Sequence, residues 1–426
     1  MKPYPKYKDS GIEWIGEIPA LWESKKIRYM ASLKSGESIT SEELVDEGKY
    51  PVFGGNGHRG YSTSFTHNGR FVLIGRQGAL CGNINYGSGK FWASEHAIVV
   101  SPLIPFETTW MGELLRSLNL NRLSVAAAQP GLAVENINVI KIPIPPFSEQ
   151  QFIATYLDRK TKQIDGLIEK KQNQIELLRE QRTAVINEAV TKGLNPKAKM
   201  KDSGIEWIGE MPEHWECKQI KHIKSPEPNA FVDGPFGSNL KSIHFVDNGD
   251  VYVIESGFIT SGSFVQREFK TISRDHYETI KRSTCKAQDI IIAKIGANYG
   301  MSGILPKLDR DAVVSGNSLK LTVDCKNHST RFIHYQLLNL KQGGAINLIV
   351  NLTAQPALSL GGMNDLKMAI PPKAEQEAIV SYLDHKTSEF DTMIAKEERL
   401  IELLQEYRTS LISEVVTGKV DVRKEN

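Results

Sequence analysis

Residues 8–23 read KDSGIEWIGEIPALWE and residues 201–216 read KDSGIEWIGEMPEHWE, identical at 13 of 16 positions with an offset of 193. A longer pair begins IPPFSEQQFIATYLD at Ile144 and IPPKAEQEAIVSYLD at Ile370, and residues 144–191 and 370–417 agree at 25 of 48 positions with an offset of 226. Self-similarity of this extent marks a tandem duplication. The offsets differ by 33, so residues 24–143 and 217–369 hold the same place in each half but differ in length. They also differ in sequence, apart from Ala128-Gln129-Pro130 against Ala354-Gln355-Pro356, and Asn138 and Lys141 against Asn364 and Lys367. A duplication that keeps its frame and diverges in its inserts uses the frame for assembly and the inserts for two different tasks. The chain therefore divides into a repeat block (1–23), a first insert domain (24–143), a first long helix with linker (144–200), a second repeat block (201–216), a second insert domain (217–369), and a second long helix with tail (370–426).

The frame is helical. Pro145-Pro146 blocks a helix, and Ser148 with Gln151 directly after it offers a capping box. Apolar residues then keep a seven-residue register: Leu157, Ile164, Leu178 and Val185 at a, with Ile168, Ile175 and Ala189 at d. The second copy repeats it with Leu383, Phe390, Leu404 and Leu411 at a, and Ile394, Ile401 and Val415 at d. Two helices of about 40 residues, roughly 60 Å each, share one kind of seam and are expected to pack on each other. The remaining a positions are polar and opposite in charge, Lys171 and its repeat-mate Glu397. Across a pseudo-twofold axis the helices run antiparallel, and these two residues are expected to meet and fix register. Equivalence of the halves also requires the tail, residues 419–423, to lie beside residues 8–23, a cyclic arrangement.

Composition excludes several classes. The chain has 426 residues, 40% hydrophobic and 24% charged, with 52 Lys+Arg against 50 Asp+Glu. This is a globular composition of more than one domain, neither disordered nor fibrous. Apolar runs such as residues 71–74 and 290–293 are far shorter than the roughly 20 residues of a spanning helix, so no membrane is expected. The N-terminus has lysines but no apolar core of a signal sequence, so a cytoplasmic location is the expectation. Cys81, Cys217, Cys285 and Cys325 are scattered, with neither disulfide-framework nor zinc spacing.

Both inserts read as mixed α/β, with strand-like runs at 50–53, 70–74, 97–100, 251–254, 289–293 and 318–323 between Gly-, Asn- and Ser-rich turns. The first insert carries a net charge of +3 and the second +5, while the rest of the chain is net acidic, so the basic excess sits where a polyanion would be read. Candidate nucleic-acid contacts combine these cations with amide side chains on tight turns, because Asn and Gln pair with adenine edges and Arg and Lys with guanine. They are Lys34, Asn56, His58, Arg59, Arg70, Arg76, Gln77, Asn83 and Lys90 in the first insert. In the second they are Ser238, Asn239, Lys241, Arg267, Lys270, Lys294, Asn298, Tyr299, Asn317 and Lys320.

Catalytic signatures fail on inspection. Residues 55–60 satisfy G-x-G-x-x-G formally, but Tyr61-Ser62-Thr63-Ser64 does not open a helix as a dinucleotide site requires. Pro145-Pro146-Phe147 resembles the motif of amino-methyltransferases, yet Ile144 stands where Asn or Asp must accept from the amino group. Gly89-Lys90 lacks the rest of a phosphate loop, and no metalloprotease or triad pattern has support. The chain binds rather than catalyses, with no metal and no cofactor of its own. Two readings from other classes compete: a self-contained DNA methyltransferase or nuclease, and a coiled-coil adaptor whose inserts bind protein or carbohydrate.

Two unlike inserts, each followed by I-P-x-P-P/I-P-P…E-Q…Y-L-D and a long helix, together with the repeated G-I-E-W-I-G-E lead-in, resemble the specificity (S) subunit of a type I restriction-modification enzyme over nearly the whole chain. The tail Thr417-Gly418-Lys419-Val420-Asp421-Val422-Arg423 is similar to that family's, whereas the first copy, Thr191-Lys192-Gly193, has Lys and Gly exchanged. Residues 54–57 and 234–241 also resemble recurrent turns of its recognition domains. The resemblance implies an α/β mixed fold: two α/β target recognition domains joined by two long antiparallel coiled-coil helices in a pseudo-twofold cyclic arrangement. It further implies that each domain reads one half of a bipartite, asymmetric target in double-stranded DNA, with a gap of about one helical turn, roughly 34 Å. The helices would set the spacing and dock two methyltransferase (M) subunits, which supply S-adenosylmethionine for N6-adenine methylation. Restriction (R) subunits would add ATP, Mg and cleavage.

Overall fold

A computed structural model describes residues 2–78, 80–124, 131–235, 237–260, 262–351 and 356–423. The Ala128-Gln129-Pro130 motif and Ala354-Gln355 lie outside the described residues, as does the side chain of Ser238. The chain forms two compact units, Met1–Asn173 with Glu397–Asn426 and Gln174–Lys396. Each unit contains one insert and parts of both long helices.

In the first unit the lead-in block is a hairpin, Tyr7–Ile12 against Gly16–Pro19, followed by the fully buried Trp22. Among the described residues two sheets of the insert are built from eight strands: β1 (Ala31–Ser35), β2 (Tyr50–Gly54), β3 (Gly57–Ser62), β4 (His67–Asn68), β5 (Phe71–Gly75), β6 (Ile84–Gly87), β7 (Lys90–Ala93) and β8 (Ala97–Pro102). They make two four-stranded sheets, ordered β1-β8-β5-β6 and β3-β2-β7-β4, with β2 and β7 the parallel pair. Helix α1 (Thr108–Ser117) covers the first sheet. Val72, Ile74, Ile98 and Val100 give one face of that sheet to the main core, while Leu73 and Val99, one residue out of phase, pack with Phe91 and Ala93 on the other. A strand buried on both faces reads as a continuous apolar run, as these do.

The second unit repeats this plan with unrelated residues. Its strands are β9 (Phe231–Asp233), β10 (Val251–Ile254), β11 (Lys270–Ile272), β12 (Thr284–Cys285), β13 (Ile290–Ala293), β14 (Ser302–Ile304), β15 (Asp311–Val314) and β16 (Ser318–Leu321). The sheet orders are β9-β16-β13-β14 and β11-β10-β15-β12, again with one parallel pair, β10 and β15. Every strand keeps its position in the plan of the first unit. The extra length enters mainly between β10 and β11, which hold the hairpin Ile259–Thr260 and Ser263–Phe264, and between β11 and β12, which hold the helix Arg274–Ile280. Helix α3 (Thr330–Gln342) takes the place of α1.

The long helices are Phe147–Lys192, here α2, and Lys373–Val416, here α4. Helix α2 begins one residue before Ser148, so Ser148 stands inside the first turn instead of capping it, and the capping-box expectation is corrected. The reason is that the Pro146 carbonyl accepts from the amides of Glu149 and Gln150, and Pro372 does the same for Glu375 and Gln376. The buried Gln150 side chain then bonds backward, Nε2 donating to Pro145 O at 3.0 Å and Oε1 accepting from the amide of Glu107, the N-cap of α1, at 2.9 Å. Its repeat-mate Gln376 donates to Pro371 O at 2.9 Å and accepts from the amide of Ser329, the N-cap of α3, at 2.8 Å. The shared E-Q motif is thus a clip between long helix and insert domain.

In the first unit Ile153, Leu157 and Ile164 of α2 share a core with Leu411, Ile412, Val415 and Val416 of α4, and Ile168 and Leu404 are half-buried against it. In the second unit Ile186, Ala189 and Val190 of α2 share a core with Ile379, Val380 and Leu383 of α4. Early turns of one helix lie with late turns of the other in both units, the antiparallel arrangement. Ile175 is buried, and Leu178, Val185, Phe390, Ile394 and Ile401 are half-buried. Within the first unit Lys171 Nζ lies 2.9 Å from Glu397 Oε2, and Arg408 Nε donates to Asp165 at 2.8 Å. The repeat-mates of that second pair, Arg182 and Asp391, meet at 3.0 Å in the second unit.

The tail lies against the lead-in hairpin of the first unit, as cyclic closure requires: Lys2 bridges to Asp421, and Lys419 Nζ donates to the carbonyls of Ile15 and Glu17 at 2.9 and 2.8 Å. The exchanged Lys and Gly of the two tails follow from helix length. Helix α2 runs to Lys192 and α4 only to Val416, and the left-handed residue after the last turn is Gly193 (φ 76°) in one and Gly418 (φ 77°) in the other. Among the described residues no helix is long and apolar enough to cross a membrane, no three metal-ligating side chains cluster, and the four cysteines are unpaired.

Candidate nucleic-acid interface

At one end of each insert domain four loops converge, and glycine permits it. A Cβ on Gly36, just after β1, would sit 2.1 Å from Ala93 O, and one on Gly234, just after β9, 2.0 Å from Ser315 O. No side chain fits either approach. Around these contacts five backbone bonds of the first domain have counterparts in the second. Gly36 N donates to Ala97 O and Gly234 N to Ser318 O, at 2.9 and 3.2 Å; Arg76 N donates to His96 O and Lys294 N to Asn317 O, both at 2.8 Å. Gly75 N donates to Asn83 O and Ala293 N to Met301 O, both at 2.8 Å, and Ser94 N donates to Phe53 O and Ser315 N to Ile254 O, both at 2.9 Å. Leu132 N closes on Arg76 O at 2.9 Å and Leu358 N on Lys294 O at 3.0 Å. Two sequences without visible similarity build one loop scaffold and hang different side chains on it.

In the first domain this cluster gathers six of the nine candidates. Asn56, His58 and Arg59 are exposed on the β2–β3 hairpin, Gln77 and Asn83 are exposed, and Arg76 is half-buried; Asn83 Nδ2 donates to Asn56 Oδ1 at 3.0 Å. The other three lie elsewhere. Lys34 is exposed on β1 opposite Val99, Lys90 Nζ sits 4.7 Å above the Phe65 ring, and Arg70 donates to Thr109 Oγ1 at 2.8 Å near Glu107. Burial raises the Glu107 carboxyl above its ordinary value.

In the second domain Asn298 and Asn317 are exposed in the cluster, while Asn239 and Lys241 are exposed on the loop that leaves it from Gly234. Tyr299 is held down: its hydroxyl donates to Asn347 Oδ1 at 2.8 Å, and Lys341 Nζ stands 3.6 Å from its ring centroid. Lys270 is ion-paired with Glu255 at 2.9 Å, and Arg267 is exposed in the segment before β11. Two candidates are corrected. Lys294 is buried and ion-paired with Asp233 at 3.0 Å, and Lys320 is buried 4.0 Å from Asp289, so neither cation faces solvent. Burial holds the Lys320 ammonium below, and the Asp289 carboxyl above, the usual range. Count and sign of charge in the sequence could not separate these lysines from surface ones.

Three residues carried no signal in the sequence. Asp233 accepts from both Lys294 and Arg282, the latter at 2.8 Å. His244 and His276 stack with ring centroids 4.0 Å apart, beside Lys241, and burial lowers the His244 pKa first, with His276 adding to it. Spacings of 32 to 61 residues between such partners follow no local pattern, so only the tertiary fold reveals them.

Comparison with known proteins identifies the family and the fold. Residues 19–177 and 237–405 match the model of the type I restriction modification DNA specificity domain. The type I restriction enzyme EcoprrI specificity subunit of Escherichia coli is 36% identical over 162 residues, which is 37% of this chain and 40% of that protein. The MjaVIII specificity subunit of Methanocaldococcus jannaschii is 23% identical over 428 residues, 96% of this chain and 95% of that one. A chain from a type I restriction-modification system solved for complex assembly and conformational transition shares the fold, with a TM-score of 0.69 at 11% identity over 95% of this chain and 99% of that one.

Proposed function

The chain belongs to the family of type I restriction-modification DNA specificity domains, and from that premise we propose that it is the non-catalytic subunit that selects the DNA target, each insert domain reading one half of a bipartite, asymmetric site. The observation that carries this is the pair of loop clusters: one backbone scaffold, bonded alike in both units, bearing different donors and acceptors. Unlike readers on like scaffolds recognise unlike half-sites. Base contacts come from the exposed Asn56, His58, Arg59, Gln77 and Asn83 and the half-buried Arg76 in one domain, and from Asn239, Lys241, Asn298 and Asn317 in the other, since amide and guanidinium side chains match base edges in the major groove.

The long helices set the spacing between half-sites and dock methyltransferase subunits. Exposed apolar residues recur once per unit, Leu167 with Leu403 in the first and Leu177 with Met393 in the second. Leu167 and Met393 are repeat-mates, as are Leu177 and Leu403. A surface presented twice fits two copies of one partner. Those partners bring S-adenosylmethionine and extrude an adenine for N6 methylation; restriction subunits bring ATP, Mg and cleavage, all in the cytoplasm. Salt discriminates this reading from a coiled-coil adaptor. Affinity of the assembled complex for duplex DNA falls about 10³-fold or more between roughly 50 and 200 mM salt if six or more phosphates are contacted, whereas an adaptor that ignores nucleic acid gives a flat response.

A further inference from the structure

Arg76 and Lys294 occupy one position of the shared loop scaffold. Each follows the last residue of the equivalent strand, β5 or β13, gives its amide to the carbonyl of His96 or Asn317, and has its own carbonyl capped by Leu132 or Leu358. The side chains meet different surroundings. Lys294 is 7% exposed and its ammonium lies 3.0 Å from Asp233 Oδ2. The other Asp233 oxygen takes the Arg282 guanidinium at 2.8 Å. Asp233 is the last residue of β9, directly before Gly234-Pro235, so the pair fastens the start of the 234–241 loop to the β13–β14 turn. At the matching end of β1 the first domain reads Ser35-Gly36, with no carboxylate. The acid in the neighbouring loop, Glu95, is engaged with His96 at 3.0 Å. Arg76 is half-buried, and among the described residues its guanidinium has no hydrogen bond or ion pair.

We propose that this position is a base-reading residue in the first domain and a structural brace in the second: Arg76 takes the major-groove edge of a guanine, and Lys294 with Asp233 holds the recognition loop without touching a base. The inference rests on the reading of the chain as a DNA specificity subunit. A guanidinium suits the task, because its planar fork matches guanine O6 and N7 and it is less strongly hydrated than an ammonium. Its backbone is fixed on both sides, by His96 and Leu132, so the side chain starts from a held position. A lysine committed to a buried carboxylate cannot reach out without leaving that carboxylate unpaired.

The test uses the full chain assembled with its methyltransferase subunits, modified-base sequencing of the host DNA, thermal melting, and binding to the duplex so identified. Arg76→Ala should leave the melting temperature unchanged, lower target affinity about 10- to 100-fold, and make one G·C pair of one half-site degenerate. Arg76→Lys should restore part of the preference. Lys294→Met and Asp233→Asn should lower the melting temperature and weaken the other half-site as a whole, without relaxing any single base pair. A full motif retained by Arg76→Ala, relaxation at an A·T pair, or loss of one base pair with unchanged melting in Lys294→Met would each overturn the assignment. A wild-type complex that marks no bipartite motif would instead sink the specificity-subunit reading itself.

Discussion

At the residue scale, Gln150 and Gln376 hold insert domain to helix through buried amides that satisfy backbone groups on both sides. Truncating either leaves an amide and a carbonyl unpaired in the interior, at about 1–3 kcal/mol each. Gln150→Ala and Gln376→Ala should each lower the unfolding free energy by the sum of the two, about 2–6 kcal/mol, in chemical denaturation. Because they belong to different units, the double variant should be additive to within about 0.5 kcal/mol. His334 is half-buried on α3, its Nε2 donating to Ser302 O at 3.0 Å, and loss of solvation there pushes its pKa below the usual 6.5. Its folded state binds its proton later than the unfolded chain does, so its contribution to stability is complete above about pH 6.5 and is lost as pH falls from there toward the folded value. Removing the titration with His334→Gln should flatten the stability profile between pH 7 and 5, read by denaturant unfolding at each pH. A profile identical to wild type would show that the imidazole is not held neutral.

At the element scale, the helix seam was legible because it obeys a period: Leu157 and Ile164 on one helix, and Leu383 and Phe390 on the other, are seven residues apart, and packing acts on that spacing directly. Lys171 and Glu397 stood out as polar interruptions, and the two meet at 2.9 Å. Reversing either charge alone should lower the melting temperature, and reversing both should recover most of the loss, with a coupling of about 1 kcal/mol. Additive effects would mean that the contact contributes nothing to register. The insert strands were also legible as short apolar runs. Their order was not, because β1-β8-β5-β6 and β9-β16-β13-β14 pair strands distant in sequence, and nothing local encodes which turn meets which. For the same reason Arg76 and Lys294 looked alike as cations on glycine-rich turns, although one is half-buried with no side-chain partner among the described residues and the other is sealed against Asp233. Ser148 misled because a capping-box pattern coincided with a helix that Pro146 had already begun.

At the scale of the whole molecule, the duplication is the organising fact. Each unit closes around the lead-in hairpin, an insert domain, the start of one long helix and the end of the other, and the tail completes the first unit where the linker serves the second. The two halves keep one frame and carry different inserts, the arrangement that two unlike readers on one mount require. The central claim, two unlike DNA half-sites read by one chain, is tested most directly by modified-base sequencing of the source cell's DNA with the gene present and deleted. The account predicts that deletion erases one N6-methyladenine motif made of two different half-sites separated by a fixed gap. Retention of every such motif after deletion, in cells where the chain is made and assembled with its methyltransferase, would contradict it.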